Sequence, residues 1–128
     1  LPILRREMKL AVMLITHDLG IVGDFCDRTL VMYGGRLMEY GPTADLLHWP
    51  RHPYTRALLG SRPSLETPLQ AALETIPGQP PDPSRPPPGC PFEPRCVHRV
   101  EECARSLPAA IPNGAFTRAC LRLEGGRG

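Results

Sequence analysis

Prolines dominate one segment of the chain and limit what it can fold into. Residues 77–91 contain eight prolines in fifteen positions. Because proline fixes φ and has no backbone N–H to donate, this segment cannot form a helix or a central strand. It predicts a semi-rigid extended connector, with a disordered linker as the alternative. We therefore expect three parts: an N-terminal part over residues 1–60, a proline-rich linker over 61–89 and a four-cysteine module over 90–122.

The N-terminal part contains a short apolar run that ends in polar residues. Residues 10–15 are all apolar, and Thr16, His17 and Asp18 follow them. Such a run is typical of a strand buried on both faces of a parallel sheet, and we predict one over Lys9–Thr16. Since ligands of open α/β sheets bind outside the carboxyl ends of the strands, His17 would face a ligand. Alternatively, His17 is only a helix-start residue, with Thr16 or Asp18 as the N-cap.

The next residues predict a short helix and a hairpin. The helix is expected over Asp18–Asp24. Two β-rich runs, Thr29–Tyr33 and Arg36–Tyr40, are separated by Gly34-Gly35. This pattern predicts a tight hairpin, and we expect both faces of its first strand to be partly covered.

Further helices are expected on either side of the hairpin. Leu1–Met8 has the pattern of an amphipathic helix tail. A second helix should begin at Thr43, as N-cap with Asp45 in the first turn, and end near Trp49 before Pro50. A third should cover Tyr54–Leu59.

Four cysteines lie close together in the last part of the sequence. They are Cys90, Cys96, Cys103 and Cys120, in the spacing C-x5-C-x6-C-x16-C. Thiolates are soft ligands, and four of them suit a tetrahedral zinc site or a [4Fe–4S] cluster. A metal centre would also stabilise a segment that is too poor in large apolar residues to fold by burial alone. The spacing does not choose between the metals, and four inert thiols are the alternative.

Other polar residues near these cysteines are secondary candidates. His98 is either an alternate ligand or a bystander. Four arginines either offset the negative charge of a thiolate centre or are solvated side chains: Arg95, Arg99, Arg105 and Arg118. Cys26 stands apart, and we expect it to be a buried small apolar residue.

The overall composition excludes some classes of function. A net charge of +2 and an aromatic content of 5% argue against nucleic acid as a partner. No stretch approaches the roughly 18 apolar residues of a membrane span, and no secretory signal is recognised. We therefore expect a cytosolic chain whose five cysteines bind metal or are reactive thiols rather than forming disulfides. The chain begins at Leu1 rather than Met, which suggests a fragment of a longer protein.

The first half of the chain resembles ABC-type transporter ATPases. The segments that carry the resemblance are LITHDLGIV, from residue 14, and CDRTLVMYGGRLMEYGPTADLL, from residue 26. The resemblance implies an α/β fold: the C-terminal part of a P-loop-type parallel sheet, with a hairpin and short helices. It also implies a catalytic His17 that binds the γ-phosphate of ATP–Mg²⁺ and orients the attacking water. No G-x-x-x-x-G-K-[ST] motif is present. We therefore expect the chain alone neither to bind nor to hydrolyse ATP.

The second half is similar to the C-terminal extension of the oligopeptide/dipeptide branch of this family. The similar segments are HPYTRALLGSRP, from residue 52, and IPGQPPDPSRPPPGCPFEPRC, from residue 76. The resemblance implies a [4Fe–4S] cluster on the four cysteines, with Zn²⁺ as the alternative. It implies an importer of oligopeptides, dipeptides or nickel-like solutes, peripheral to the cytoplasmic face of the inner membrane. The partners would be a second ATPase subunit, two transmembrane permease subunits and, indirectly, a solute-binding protein. The competing hypothesis is a stand-alone metal-binding module without ATPase activity.

Overall fold

The computed structural model describes residues 7–61 and 76–120. In chain order its elements are helix α1 (Leu19–Phe25), strands β1 (Arg28–Tyr33) and β2 (Arg36–Pro42), helices α2 (Thr43–His48) and α3 (Pro53–Gly60), a 3₁₀ turn (Glu93–Arg95), helix α4 (Glu101–Arg105), and strands β3 (Ile111–Asn113) and β4 (Phe116–Arg118). The strands form one antiparallel sheet in the order β1-β2-β4-β3. The described part is thus an α/β unit of short helices around an antiparallel sheet.

The predicted hairpin is confirmed, with one difference in its exposure. Gly34 and Gly35 have φ values of 55° and 75°, as a two-residue turn between right-twisted strands requires. Val31 is buried on one face of β1, whereas Leu30 and Met32 are 52% and 56% exposed on the other. The prediction that both faces are partly covered is therefore wrong, because no described element packs over the Leu30 and Met32 face.

The buried strand predicted for Lys9–Thr16 is wrong in this structure. These residues form no strand, and Met13 and Ile15 are 89% and 91% exposed. A central parallel strand needs a hydrogen-bonded neighbour on each side to satisfy its backbone groups. No parallel strand pair occurs among residues 7–61 and 76–120. The P-loop-type parallel sheet is accordingly absent from the described part of the chain.

The predicted helices form close to their expected bounds. Asp18 caps α1 by accepting from the N–H of Gly20 at 2.7 Å. Helix α2 ends before Trp49, as expected, but Thr43 does not cap it. Its hydroxyl is buried and lies 2.8 Å from the hydroxyl of Thr29, so it joins β1 to α2 instead. Of the helix predicted for Leu1–Met8, the last two residues are helical and the first six lie outside the described residues.

One aromatic core joins the hairpin to the cysteine-containing segment. The rings of Tyr33, Tyr54 and Phe92 lie 4.5 to 5.5 Å apart, centroid to centroid. Met38 and Leu46 are fully buried beside them, and Cys90 and Cys96 pack against the same core. Burial of these side chains provides the main stabilisation of the unit.

The proline-rich segment has no helix or strand over residues 76–91, as predicted. It lies against the hairpin turn: a Cβ on Gly34 would meet Pro91 at 2.9 Å and Pro81 at 3.0 Å. The Arg95 guanidinium links the start of the segment to the hairpin: it donates to the carbonyls of Ile76 and Pro77 and to the hydroxyl of Tyr33. Residues 62–75 of the predicted linker lie outside the described residues. The three-part division of the chain stays a prediction.

Within residues 7–61 and 76–120, no helix is both long enough and apolar enough to cross a bilayer.

Candidate functional site

The four cysteines predicted as metal ligands line one small cavity. Its volume is about 20 Å³, room for roughly one water-sized group. Cys103 is buried, and Cys90, Cys96 and Cys120 are half-buried. Four soft donors that share one cavity have the donor chemistry that zinc or an iron–sulfur cluster requires.

Short local structures bring three of these cysteines together. The N–H of Cys90 donates to the carbonyl of Cys103 at 2.7 Å, which joins the proline-rich segment to α4. The 3₁₀ turn then closes through hydrogen bonds from the N–H of Glu93 to the carbonyl of Cys90 (3.0 Å) and from the N–H of Cys96 to the carbonyl of Glu93 (3.1 Å). The turn therefore brings Cys96 back towards Cys90.

The fourth cysteine is placed by the sheet. Strand β4 pairs with β2, and directly after it the N–H of Ala119 donates to the carbonyl of Met38 at 3.0 Å. Cys120 follows and lines the cavity. The site therefore depends on both the cysteine-containing loops and the hairpin that begins the described sheet.

The environment of two of the thiols, Cys90 and Cys96, disfavours their charged form. Burial raises the pKa of the Cys90 thiol, the N–H of Phe92 lowers it in part, and the thiols of Cys103, Cys120 and Cys96 raise it further. Burial is also the main cause that raises the pKa of Cys96. A cation that binds here must displace thiol protons, so its affinity should rise with pH.

The thiols are not arranged as a finished coordination shell. Among the described residues, no group of three or more Cys, His, Asp or Glu side chains stands in a geometry that could hold a metal ion. Rotation of a cysteine between staggered χ1 wells moves its sulfur by about 3 Å. The donor set thus fits a soft metal, and the side chains must rotate to bind it.

The arginines, His98 and Cys26 lie in different environments. Arg95 points to the aromatic core, Arg99 pairs with Glu93 at 3.7 Å, and Arg105 pairs with Glu101. None of the four arginines lines the cavity, whereas His98 does, with an exposed side chain. Cys26 is half-buried at the C-terminal end of α1 rather than fully buried, and it lies outside the cavity.

Two buried polar residues beside the cavity were missed by the sequence analysis. Glu39 is fully buried, and its carboxylate accepts from the N–H groups of Arg51 (2.8 Å) and His52 (3.0 Å). His52 is 1% exposed and lines the cavity, and its Nδ1 accepts from the N–H of Tyr54 at 3.1 Å. The available signal was a histidine directly before proline at a helix start, which is an N-cap position.

Burial keeps the His52 ring neutral. Desolvation lowers its pKa to about 4, although the carbonyl of Ala119 raises it in part. The carbonyl of Ala119 does not satisfy Nε2 of His52, since this nitrogen is buried and has no hydrogen-bond partner among the described residues. The ring is thus fixed through Nδ1 and through its backbone, with Nε2 unpaired.

Replacing Glu39 with Gln is expected to destabilise the fold by about 2 kcal/mol. The amide keeps one acceptor oxygen and turns an NH₂ group towards the N–H of Arg51 or His52, where no hydrogen bond can form. Urea unfolding followed by circular dichroism measures the change. Glu7→Gln, on an exposed side chain, is the control and should change stability little. Equal stability of both variants and the parent would contradict this role for Glu39.

Replacing Gly89 with Ala should disrupt the cysteine-containing loops. The new Cβ would lie 2.1 Å from the carbonyl oxygen of Cys103 and 2.6 Å from the backbone of Ala104, so the two segments must separate. We expect a loss of about 3 kcal/mol or more in the free energy of unfolding. The control is Gly114→Ala, which meets no atom within 4 Å but has a φ of 61°. It should cost about 1 kcal/mol. A smaller loss for Gly89→Ala than for Gly114→Ala would show that this close approach is absent.

His17 lies apart from the cysteines. It is exposed in the turn before α1 and does not line the cavity. Asp18 is the N-cap of α1, and the Thr16 hydroxyl accepts from the N–H of Asp18 at 3.0 Å without capping the helix itself. Of the two N-cap candidates, Asp18 is therefore confirmed and Thr16 is not. The role of His17 itself stays a prediction.

Comparisons with known proteins identify the family. Residues 38–103 match the family described as the oligopeptide/dipeptide transporter, C-terminal region. The chain is 46% identical over 119 residues to the oligopeptide transport ATP-binding protein OppD of Salmonella typhimurium, across 93% of this chain and 35% of OppD. It is 45% identical over 119 residues to OppD of Escherichia coli, with the same coverage. It is 48% identical over 118 residues to the dipeptide transport ATP-binding protein DppD of Bacillus subtilis, across 91% of this chain and 35% of DppD.

This chain belongs to the oligopeptide/dipeptide transporter C-terminal region family, which confirms the resemblance seen in its sequence. It spans about a third of the length of the relatives named above, 35% in each case. The matched residues include Glu39, His52 and three of the four cysteines, whereas His17 and Cys120 lie outside the matched range.

Proposed function

We propose that the chain is part of the ATP-binding subunit of an ABC importer that couples ATP hydrolysis to the uptake of oligopeptides or dipeptides. The observation that carries this proposal is the family match over residues 38–103. Relatives named as oligopeptide and dipeptide transport ATP-binding proteins support it. Peptides are the proposed substrates, and nickel-like solutes are the alternative cargo.

In this proposal His17 is the catalytic residue of the chain. Its exposed position before α1 leaves the imidazole accessible to a nucleotide. An imidazole can donate to a phosphate oxygen and accept from water, and phosphoryl transfer depends on such positioning more than on covalent chemistry. ATP–Mg²⁺ would be held mainly by a phosphate-binding loop, a motif that this sequence does not contain. The chain alone should therefore not hydrolyse ATP.

We also propose that Cys90, Cys96, Cys103 and Cys120 hold one metal centre. Their shared cavity and their partial burial support this role. The resemblance favours a [4Fe–4S] cluster, and Zn²⁺ is the alternative. When bound, the metal would cross-link the proline-rich segment, α4 and the end of β4.

The proposed partners follow from the same family. They are a second ATPase subunit, two permease subunits in the membrane and, indirectly, an extracytoplasmic solute-binding protein. The chain would then act at the cytoplasmic face of the inner membrane, as a peripheral subunit. No role in nucleic-acid binding is proposed.

Transport in vesicles tests the proposal. The complete protein that contains this chain is reconstituted with the second ATPase subunit and the permease pair, and the uptake of a labelled oligopeptide is measured with solute-binding protein present. We expect uptake that requires ATP and that unlabelled dipeptide or oligopeptide suppresses. Suppression of uptake by Ni²⁺ but not by unlabelled peptides would favour a metal cargo. ATP-independent uptake, or no uptake of either peptide or Ni²⁺, would contradict the importer function.

A second candidate function rests on the cavity itself. The four cysteines that line the cavity and the aromatic core beside them are the observation behind this alternative, a stand-alone metal-binding module without ATPase activity. In that case the chain alone would bind metal fully, and the complete protein would show no ATP-dependent uptake.

A further inference from the structure

His52 presents an unused hydrogen-bond donor to the four-cysteine cavity. Its Nδ1 accepts from the N–H of Tyr54, so the neutral ring carries its proton on Nε2. Within the described part of the chain, Nε2 is buried and has no hydrogen-bond partner. The side chain is 1% exposed and lines the cavity, so water cannot readily satisfy this donor. Such unpaired buried donors are rare in native structures and call for an explanation.

Hydrogen bonds and an aromatic neighbour also hold the His52 ring in place. The Glu39 carboxylate accepts from the backbone N–H of His52, and the Tyr54 N–H is bonded to the ring. Phe92, which lines the same cavity, lies 6.4 Å from the ring, centroid to centroid. Both the backbone N–H and Nδ1 of the histidine are thus hydrogen-bonded, which restricts rotation of the ring.

We propose that the Nε2–H of His52 donates a hydrogen bond to a cysteine sulfur of the four-cysteine centre once that centre holds its metal. A neutral thiol is a weak acceptor, whereas a metal-bound thiolate carries negative charge and accepts N–H donors well. Hydrogen bonds of this kind orient ligands and set metal affinity and reduction potential. His52 is then a positioning residue that connects Glu39 of β2 to the metal centre. The inference rests on the proposed metal centre.

Two substitutions of His52 test the roles of its two ring nitrogens one at a time. His52→Asn places an amide oxygen near the position of Nδ1, so it keeps the helix cap but removes the donor at Nε2. His52→Gln places an amide NH₂ near the position of Nε2, so it keeps the donor but weakens the cap. If His52 only stabilises the fold, His52→Gln should be the more damaging change. If it supports the metal centre, His52→Asn should be the more damaging one.

The experiment measures metal content, metal release and reduction potential in anaerobically purified parent and variants. We expect release of the bound metal to excess EDTA to be about 10-fold faster in His52→Asn than in the parent, with His52→Gln close to the parent. For an iron–sulfur centre, His52→Asn should also lower the midpoint potential. For a zinc centre, the thiolate-to-metal absorption of the Co²⁺-substituted protein should shift to longer wavelength.

Three results would overturn the inference. Parent-like release and spectra in His52→Asn would show that Nε2–H does not reach a sulfur. Faster release in His52→Gln than in His52→Asn would assign His52 to helix capping. A parent protein that retains no metal would remove the centre itself, and this failure is seen before any variant is compared.

Discussion

Replacing His17 with Ala in the complete ATP-binding protein is expected to lower ATP turnover about 100-fold or more while leaving ATP affinity nearly unchanged. The imidazole is proposed to contact the γ-phosphate and the attacking water, and these contacts matter most in the transition state. The side chain is exposed, so its loss should not unfold the domain. Steady-state phosphate release gives turnover, and equilibrium binding of a fluorescent ATP analogue gives affinity.

The matched control for His17 is its neighbour Asp18. This carboxylate caps α1, and Asn is an equally good N-cap residue, so Asp18→Asn should leave both turnover and stability close to the parent values. Parent-like turnover in His17→Ala would remove His17 from the mechanism. Equal losses in both variants would show that the turn, and not the imidazole, is what turnover requires.

Replacing Cys103 with Ser is expected to weaken metal binding by roughly 100-fold or more, because loss of a residue that only supports a ligand already costs about 10- to 100-fold. Cys103 is the buried member of the four, and its backbone carbonyl also accepts from Cys90. A serine hydroxyl nearly preserves the volume but is a poor ligand for a soft metal. Metal content after anaerobic purification and dialysis against EDTA measures the effect.

Cys26→Ser provides the control for this substitution. Cys26 is also a free cysteine, but it lies at the end of α1 and does not line the cavity. Its replacement should leave metal content unchanged. Full metal content in Cys103→Ser, or equal loss in both variants, would contradict the assignment of the ligands.

Local signals in the sequence predicted local structure well. The Gly34-Gly35 pair predicted the hairpin because both positions need positive φ. The end of α2 before Trp49 and the end of α3 at Gly60 were predicted from the positions of Pro50 and Gly60. The apolar run before His17 was misassigned for a different reason. Apolar residues predict burial only if a partner surface exists, and the structure offers no strand to pair with it in the described ranges.

The four cysteine donors of the candidate site could be predicted from the sequence, but the buried residues around them could not. Cysteine density in a proline-rich segment predicted a shared site, and the four thiols do line one cavity. The contribution of Glu39 depends on contacts between β2 and the residues before α3, which no local sequence pattern predicts, whereas the His-Pro pair indicates only the N-cap position of His52. Their roles emerge only when residues 12 and 13 positions apart are brought together by folding.

The most direct test of the four-cysteine centre is the iron, sulfide and zinc content of the protein purified without oxygen. A brown protein with iron and sulfide in equal amounts, about four of each per chain, is the expected result. A colourless protein with stoichiometric zinc would contradict the cluster and assign a zinc site to the same thiols. A protein with neither metal would contradict the centre altogether.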